Sequence, residues 1–197
     1  MAGYTRPTLD PYSVLGHAHA MPNYRRNRIP GASYFFTVHL RDRRSGLLVA
    51  QIDALREAVR DVRRQSPFRI DAWVVLPDHM HCLWTLPEAD SDFPDRWRRI
   101  KAEFSKSLPD TEQVSRARLR KGERGIWQRG YWEHTIRDDR DYAAHMDYIH
   151  FNPVKHGLTR DPSDWPFSSF RQSVAAGLYP AGWLGGGAEP VETGERR

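Results

Sequence analysis

The stretch FRIDAWVVLPDHMHCLWTL, residues 68–86, decides the fold. Two runs rich in β-branched and aromatic residues, 68–76 and 79–86, flank Pro77-Asp78. Apolar runs of this length around a two-residue turn signal read as a tight antiparallel hairpin. A strand alternates its side chains between two faces. His79 and His81 therefore share one face, and Met80, Cys82, Trp84 and Leu86 share the other. The second set is uniformly apolar, so Cys82 reads as core.

Working outward, SYFFTVHLR (33–41) reads as a further strand. Between it and the hairpin, residues 47–64 place Leu48, Ile52, Leu55, Val59 and Val62 at helical spacing, with arginines on the opposite side. Beyond the hairpin, residues 96–108 form a basic helix with Trp97, Ile100 and Phe104 as its apolar stripe, followed by a polar loop over 109–125. IWQRGYWEHTIR (126–137) is aromatic and β-prone. Residues 138–151 open with acidic side chains, which favour a helix N-terminus, and Asn152-Pro153 should end or kink that helix. Residues 161–179 read as turns and a short final helix. Hairpin-linked strands interleaved with helices give an α+β class, a compact layered domain with a mostly antiparallel sheet. The expected organisation is an irregular arm over 1–24, one domain over 25–175 and a flexible Gly-rich tail over 176–197.

The composition bounds the function. No run approaches the ~18 apolar residues of a membrane span. One cysteine among 197 residues excludes an internal disulfide and any multi-cysteine zinc site. A reducing cytoplasm is the expected location. Thirty Lys+Arg against 25 Asp+Glu give a net charge of +5, which permits a polyanionic partner without requiring one. Arginine with plentiful aromatics suits single-stranded nucleic acid, guanidinium to phosphate and ring to base.

Two imidazoles on one strand face make half of a divalent-metal site. With nine histidines in the chain such a pair is nearly a chance event, and His17-Ala18-His19 in the Pro-broken arm illustrates it. Tyr148 and Asn152, four apart on a helix, lie on one face one turn apart. A phenol and an amide oxygen so placed can share a ligand; the alternative is a core tyrosine above an Asn-Pro helix end. His150, half a turn away, reads as structural or as a phosphate contact. His134 and His145 read first as core polar residues.

Six segments together resemble the HUH single-tyrosine transposases, specifically the REP-associated tyrosine transposases of bacteria. They are RRNRIPGASYFFTVHLR (25–41), DAWVVLPDHMHCLW (71–84), RWRRIKAEFSKS (96–107), WQRGYWEHTIRDDRDY (127–142), YIHFNPVKHGL (148–158) and DWPFSSFR (164–171). The resemblance implies a two-layer sandwich of the ferredoxin/RRM-like HUH fold. It implies His79, His81 and Asn152 as metal ligands and Tyr148 as nucleophile, with Mg²⁺ or Mn²⁺ as cofactor. The implied activity is single-stranded DNA cleavage and strand transfer on hairpin repeats through a 5′-phosphotyrosine. Arg25, Arg26, Arg98, Arg99 and Lys101 are candidate contacts to DNA. No membrane partner is expected, and the protein is expected to be a monomer or a dimer. A non-catalytic single-stranded nucleic-acid binder on the same fold is the alternative, and a hydrolase using the histidines on water is a third reading.

Overall fold

A computed structural model describes residues 27–109, 124–185, 191, 193 and 194. The elements are β1 (Ser33–His39), α1 (Leu47–Ala50), α2 (Ile52–Gln65), β2 (Arg69–Val75), β3 (His79–Thr85), α3 (Phe93–Lys106), β4 (Trp132–Thr135), α4 (Asp139–Lys155) and α5 (Phe170–Ala175). The four strands form one sheet in the order β2-β3-β1-β4, and every neighbouring pair is antiparallel. β1-helix-β2 and β3-helix-β4 each skip one strand, which makes a split βαβ sandwich. The class is α+β, as expected.

The hairpin closes on the two residues the sequence marks: Leu76 N–H donates to the His79 carbonyl at 2.8 Å. β3 becomes a central strand, with Val74, His81 and Thr37 in one row across β2, β3 and β1. α2 and α3 cover one sheet face over a core that includes Tyr34, Phe36, Val38, Met80, Trp84, Trp97 and Phe104. α4 lies on the other face against Phe35, Ala72, Val74, Leu76 and Leu83. Helices therefore flank both faces.

Four boundaries differ from the sequence reading. The helix expected over 47–64 breaks at Gln51 (φ −117°), where α1 docks on the hairpin through Leu48 N–H to the Pro77 carbonyl at 3.2 Å. α3 starts three residues early, because Asp92 caps it by accepting from Asp95 N–H and Pro94 suits the first turn. Of residues 126–137 only 132–135 form a strand. Lys101 Nζ claims the Gln128 and Gly130 carbonyls at 3.1 Å each, which holds that loop toward α3.

The largest difference is in α4, which runs through Pro153 to Lys155. An interior proline costs about 3 kcal/mol through its missing N–H and ring clash, so an end at Asn152 was the natural expectation. A Schellman closure holds the extra turn: Leu158 N–H reaches the Pro153 carbonyl and Gly157 N–H the Val154 carbonyl, both at 2.9 Å. Gly157 takes the left-handed conformation this requires (φ +67°). Packing also passes residue 175, where Tyr179 donates to Asp147 Oδ1 at 2.7 Å and Trp183 packs against Phe170 and Tyr179. Among the described residues no helix is long and apolar enough to cross a membrane.

Candidate active site

β3 delivers both histidines to the α4 side, where His79 and His81 are buried. Their ring centroids lie 5.1 Å apart with planes at 84°. His79 Nδ1 is 2.8 Å from Asp78 Oδ1, and Arg43 Nε lies 2.7 Å from Asp78 Oδ2. Burial works to raise the Asp78 pKa, but the His79 and Arg43 contacts outweigh it and hold the carboxyl below its usual range. An ionised carboxylate is an acceptor, so Nδ1 of His79 carries the proton. His81 Nδ1 is 2.9 Å from Thr37 Oγ1. That hydroxyl donates its own hydrogen to the Thr193 carbonyl at 2.6 Å, so it must accept from His81 Nδ1–H. Both imidazoles are thereby fixed in one tautomer with a lone pair on Nε2. Anchoring the remote ring nitrogen in this way is how proteins orient histidine ligands.

Tyr148 is brought to the same place. Its ring lies 5.2 Å from that of His81 and 5.9 Å from Phe35. Asn152, one turn on, is fully buried, and neither its Oδ1 nor its Nδ2 has a hydrogen-bond partner among the described residues. An unsatisfied buried amide costs about 1–3 kcal/mol, and binding a ligand would remove that cost. The donor set of two imidazole nitrogens and an amide oxygen fits a divalent cation of intermediate hardness.

The last turn of α4 adds two groups that sequence reasoning missed. Lys155 Nζ donates to the Tyr148 hydroxyl at 2.9 Å, and the His156 ring sits 5.2 Å from His79. Lys155 is seven residues, two helical turns, after Tyr148; the periodicity would have shown it had the helix been read past Pro153. His39 was missed as well: it faces His79 across β1 and β3, 5.2 Å away ring to ring.

A separate cluster joins His134, Asp141 and His145. Asp141 Oδ2 accepts from His134 Nε2 at 2.8 Å, from Arg137 N–H at 3.0 Å and from Arg137 Nε at 3.1 Å. A guanidinium already neutralises this carboxylate. The two imidazoles are stacked at 4.7 Å with planes 19° apart, so their in-plane lone pairs do not converge on one ion. The cluster is a hydrogen-bond hub that ties the start of α4 to β4. His150 faces away from the site, 3.0 Å from Ser169 Oγ, and burial lowers its pKa to about 4; it is structural.

Of the candidate DNA contacts, Arg25 and Arg26 lie outside the described residues. Arg98, Arg99 and Lys101 sit on α3, across the sheet from Tyr148. Each is engaged within the chain: Arg98 with Asp95, Arg99 with Ser66 and Gln65, and Lys101 with the 128–130 loop.

This arrangement can hold a cation beside a phenol, the equipment of a tyrosine nuclease. A family model described as "Transposase IS200 like" matches residues 17–152. The REP-associated tyrosine transposase of Escherichia coli (strain K12) is 52% identical over 165 residues, 84% of this chain and 92% of that one. A solved structure of a REP-associated tyrosine transposase bound to a REP hairpin superposes with a TM-score of 0.78 at 50% identity, covering 90% of this chain and 99% of that one. The chain belongs to the IS200-like transposases and, within them, to the REP-associated tyrosine transposases.

Proposed function

We propose that the protein is a metal-dependent single-stranded DNA endonuclease and strand transferase that acts on hairpin repeats through a 5′-phosphotyrosine. One observation carries the reading: the Tyr148 ring packs edge-on against the His81 imidazole at 5.2 Å, one helical turn from the buried, unsatisfied Asn152 amide. The relative solved with a REP hairpin supports palindromic repeats as the DNA class.

Nε2 of His79 and His81 and the Asn152 carbonyl would hold a divalent cation, Mg²⁺ or Mn²⁺ as the family resemblance implies, with the two imidazole nitrogens favouring Mn²⁺. When bound, the cation polarises the scissile phosphate and neutralises its developing charge. Asp78 and Thr37 hold the remote ring nitrogens and keep the two imidazoles aimed. A free phenol, with a pKa near 10, is a poor nucleophile at neutral pH, so the site must activate Tyr148. The phenol releases its proton to solvent, the Oη–P bond forms, and the P–O3′ bond breaks, its oxygen taking a proton from water. The phosphodiester energy is retained in the phosphotyrosine, and a 3′-hydroxyl can reverse the step on the same or another strand. Arg98, Arg99 and Lys101 on α3, across the sheet from Tyr148, would be contacts to DNA away from the reacting phosphate. The single cysteine, buried and free, agrees with a cytoplasmic protein.

The test incubates the full chain with a palindromic hairpin oligonucleotide carrying single-stranded flanks, with and without Mn²⁺, and resolves products on a denaturing gel. A metal-dependent covalent adduct, lost in Tyr148→Phe, is expected. Binding without any adduct would establish the non-catalytic module instead, and cleavage that survives Tyr148→Phe would establish a hydrolase acting through water.

A further inference from the structure

We propose that Lys155 is a catalytic residue of this reaction, its ammonium stabilising negative charge on the Tyr148 oxygen in both cleavage and joining. The inference rests on the reading of Tyr148 as the nucleophile. Lys155 Nζ lies 2.9 Å from Tyr148 Oη and 4.6 Å from the centroid of its ring. The contact therefore reaches the atom that would bond to phosphorus.

The placement is built by the local sequence. Seven residues are close to two turns of an α-helix, so Tyr148, Asn152 and Lys155 line one side of α4. That alignment exists only because the helix continues through Pro153 and is closed at Gly157 and Leu158. The NPVKHG segment thus extends α4 by the one turn that carries the ammonium to the phenol.

The chemistry follows from where charge develops. An ammonium donates a modest hydrogen bond to a neutral phenol and a charge-assisted, stronger one to a phenolate. Only an interaction that strengthens along the reaction accelerates it. In cleavage, the ammonium faces Oη as the phenol proton leaves to solvent and the Oη–P bond forms. In joining, an incoming 3′-hydroxyl attacks phosphorus and the Oη–P bond breaks with its electron pair left on Oη, next to the ammonium. Lys155 stays protonated throughout and is not consumed. A purely structural role would give it little weight, since an exposed surface contact of this kind contributes under about 1 kcal/mol.

The test compares wild type, Lys155→Met, Lys155→Arg and Tyr148→Phe as full chains at saturating hairpin and Mn²⁺. It measures the single-turnover rate of adduct formation, the rate at which purified adduct rejoins a strand with a free 3′-hydroxyl, and hairpin affinity without metal. Lys155→Met should slow both chemical steps about a hundred-fold, the scale for removing one charge-stabilising donor. Affinity and melting temperature should stay close to wild type, and Lys155→Arg should recover most of the rate. Wild-type rates in Lys155→Met, with Tyr148→Phe inactive, would overturn the assignment of Lys155 and leave the nucleophile standing. Wild-type rates at saturating hairpin together with weakened hairpin affinity would make Lys155 a DNA contact and overturn it too. An adduct in Tyr148→Phe would instead overturn the reading of the nucleophile.

Discussion

Toward α2 and α3, β3 presents Met80, Cys82 and Trp84; toward α4 it presents His79, His81 and Leu83. Both faces are buried, yet they are different materials. On the first, Trp84 stacks on Trp97 at 4.3 Å, with Phe36 and Phe93 beside them. Its one titratable group from β3, Cys82, is pushed to a higher pKa by burial and stays a thiol. The second face buries Thr37, His39, His79 and His81, together with Asn152 from α4. Buried polar groups cost stability unless partnered; here His79 and His81 are anchored at Nδ1, while the Asn152 amide has no hydrogen-bond partner among the described residues. Strand alternation separates the apolar face from the face that carries the candidate site by a single residue, so damage to one should leave the other intact.

The largest expected effect tests that separation. Trp97→Ala removes the indole stacked on Trp84 and should destabilise the protein by about 3–5 kcal/mol, the range for a buried aromatic truncation, read from urea denaturation midpoints. The adduct rate per folded molecule should be unchanged. Wild-type stability, or a fully folded variant that no longer reacts, would break the comparison.

The legibility of the sequence follows the same division. The hairpin, the apolar stripes of α2 and α3 and the shared face of His79 and His81 were readable, because each is a local periodicity. Tyr148 and Asn152 were readable as one turn of helix. Thr37 and Asp78 were not, since a second layer of support depends on the strand register and on a side chain meeting its neighbour. Lys155 and His156 were hidden by a local rule: proline was expected to stop the helix, and the Schellman closure after it outweighed that rule.

A smaller effect distinguishes structural histidines from site histidines. His150 has a folded pKa of about 4, lowered by burial from 6.5. Between those values the unfolded chain takes up a proton that the folded chain refuses. The stability from this residue is complete above pH 6.5 and is lost as the pH falls toward 4, about 3 kcal/mol in all. Asp141 has the same sign at lower pH: burial opposes it, but Arg137 and His134 keep its carboxyl ionised, so its share goes only as the pH drops below about 4. Denaturation midpoints measured from pH 7.5 to 4 should fall steeply for wild type and less steeply for His150→Leu. Parallel curves would show that His150 is not the proton-refusing group.

The smallest effect reaches the site through its support. Thr37→Val keeps the branched shape on β1 and removes only the hydroxyl. His81 Nδ1–H then loses the Thr37 hydroxyl that holds the proton on that nitrogen and leaves the lone pair on Nε2. Loss of such an outer partner lowers metal affinity about 10–100-fold. The metal concentration needed for half-maximal adduct formation should rise by that factor, with the rate at saturating metal near wild type, because the proposed ligands and Tyr148 remain. Thr37→Ser, which keeps the hydroxyl, should restore most of the affinity. The mirror-side change Cys82→Ala, at the neighbouring position of β3 but on the apolar face, should leave the metal requirement alone. If Thr37→Val and Cys82→Ala shift the metal requirement equally, the effect belongs to the sheet as a whole and not to the face that carries His81.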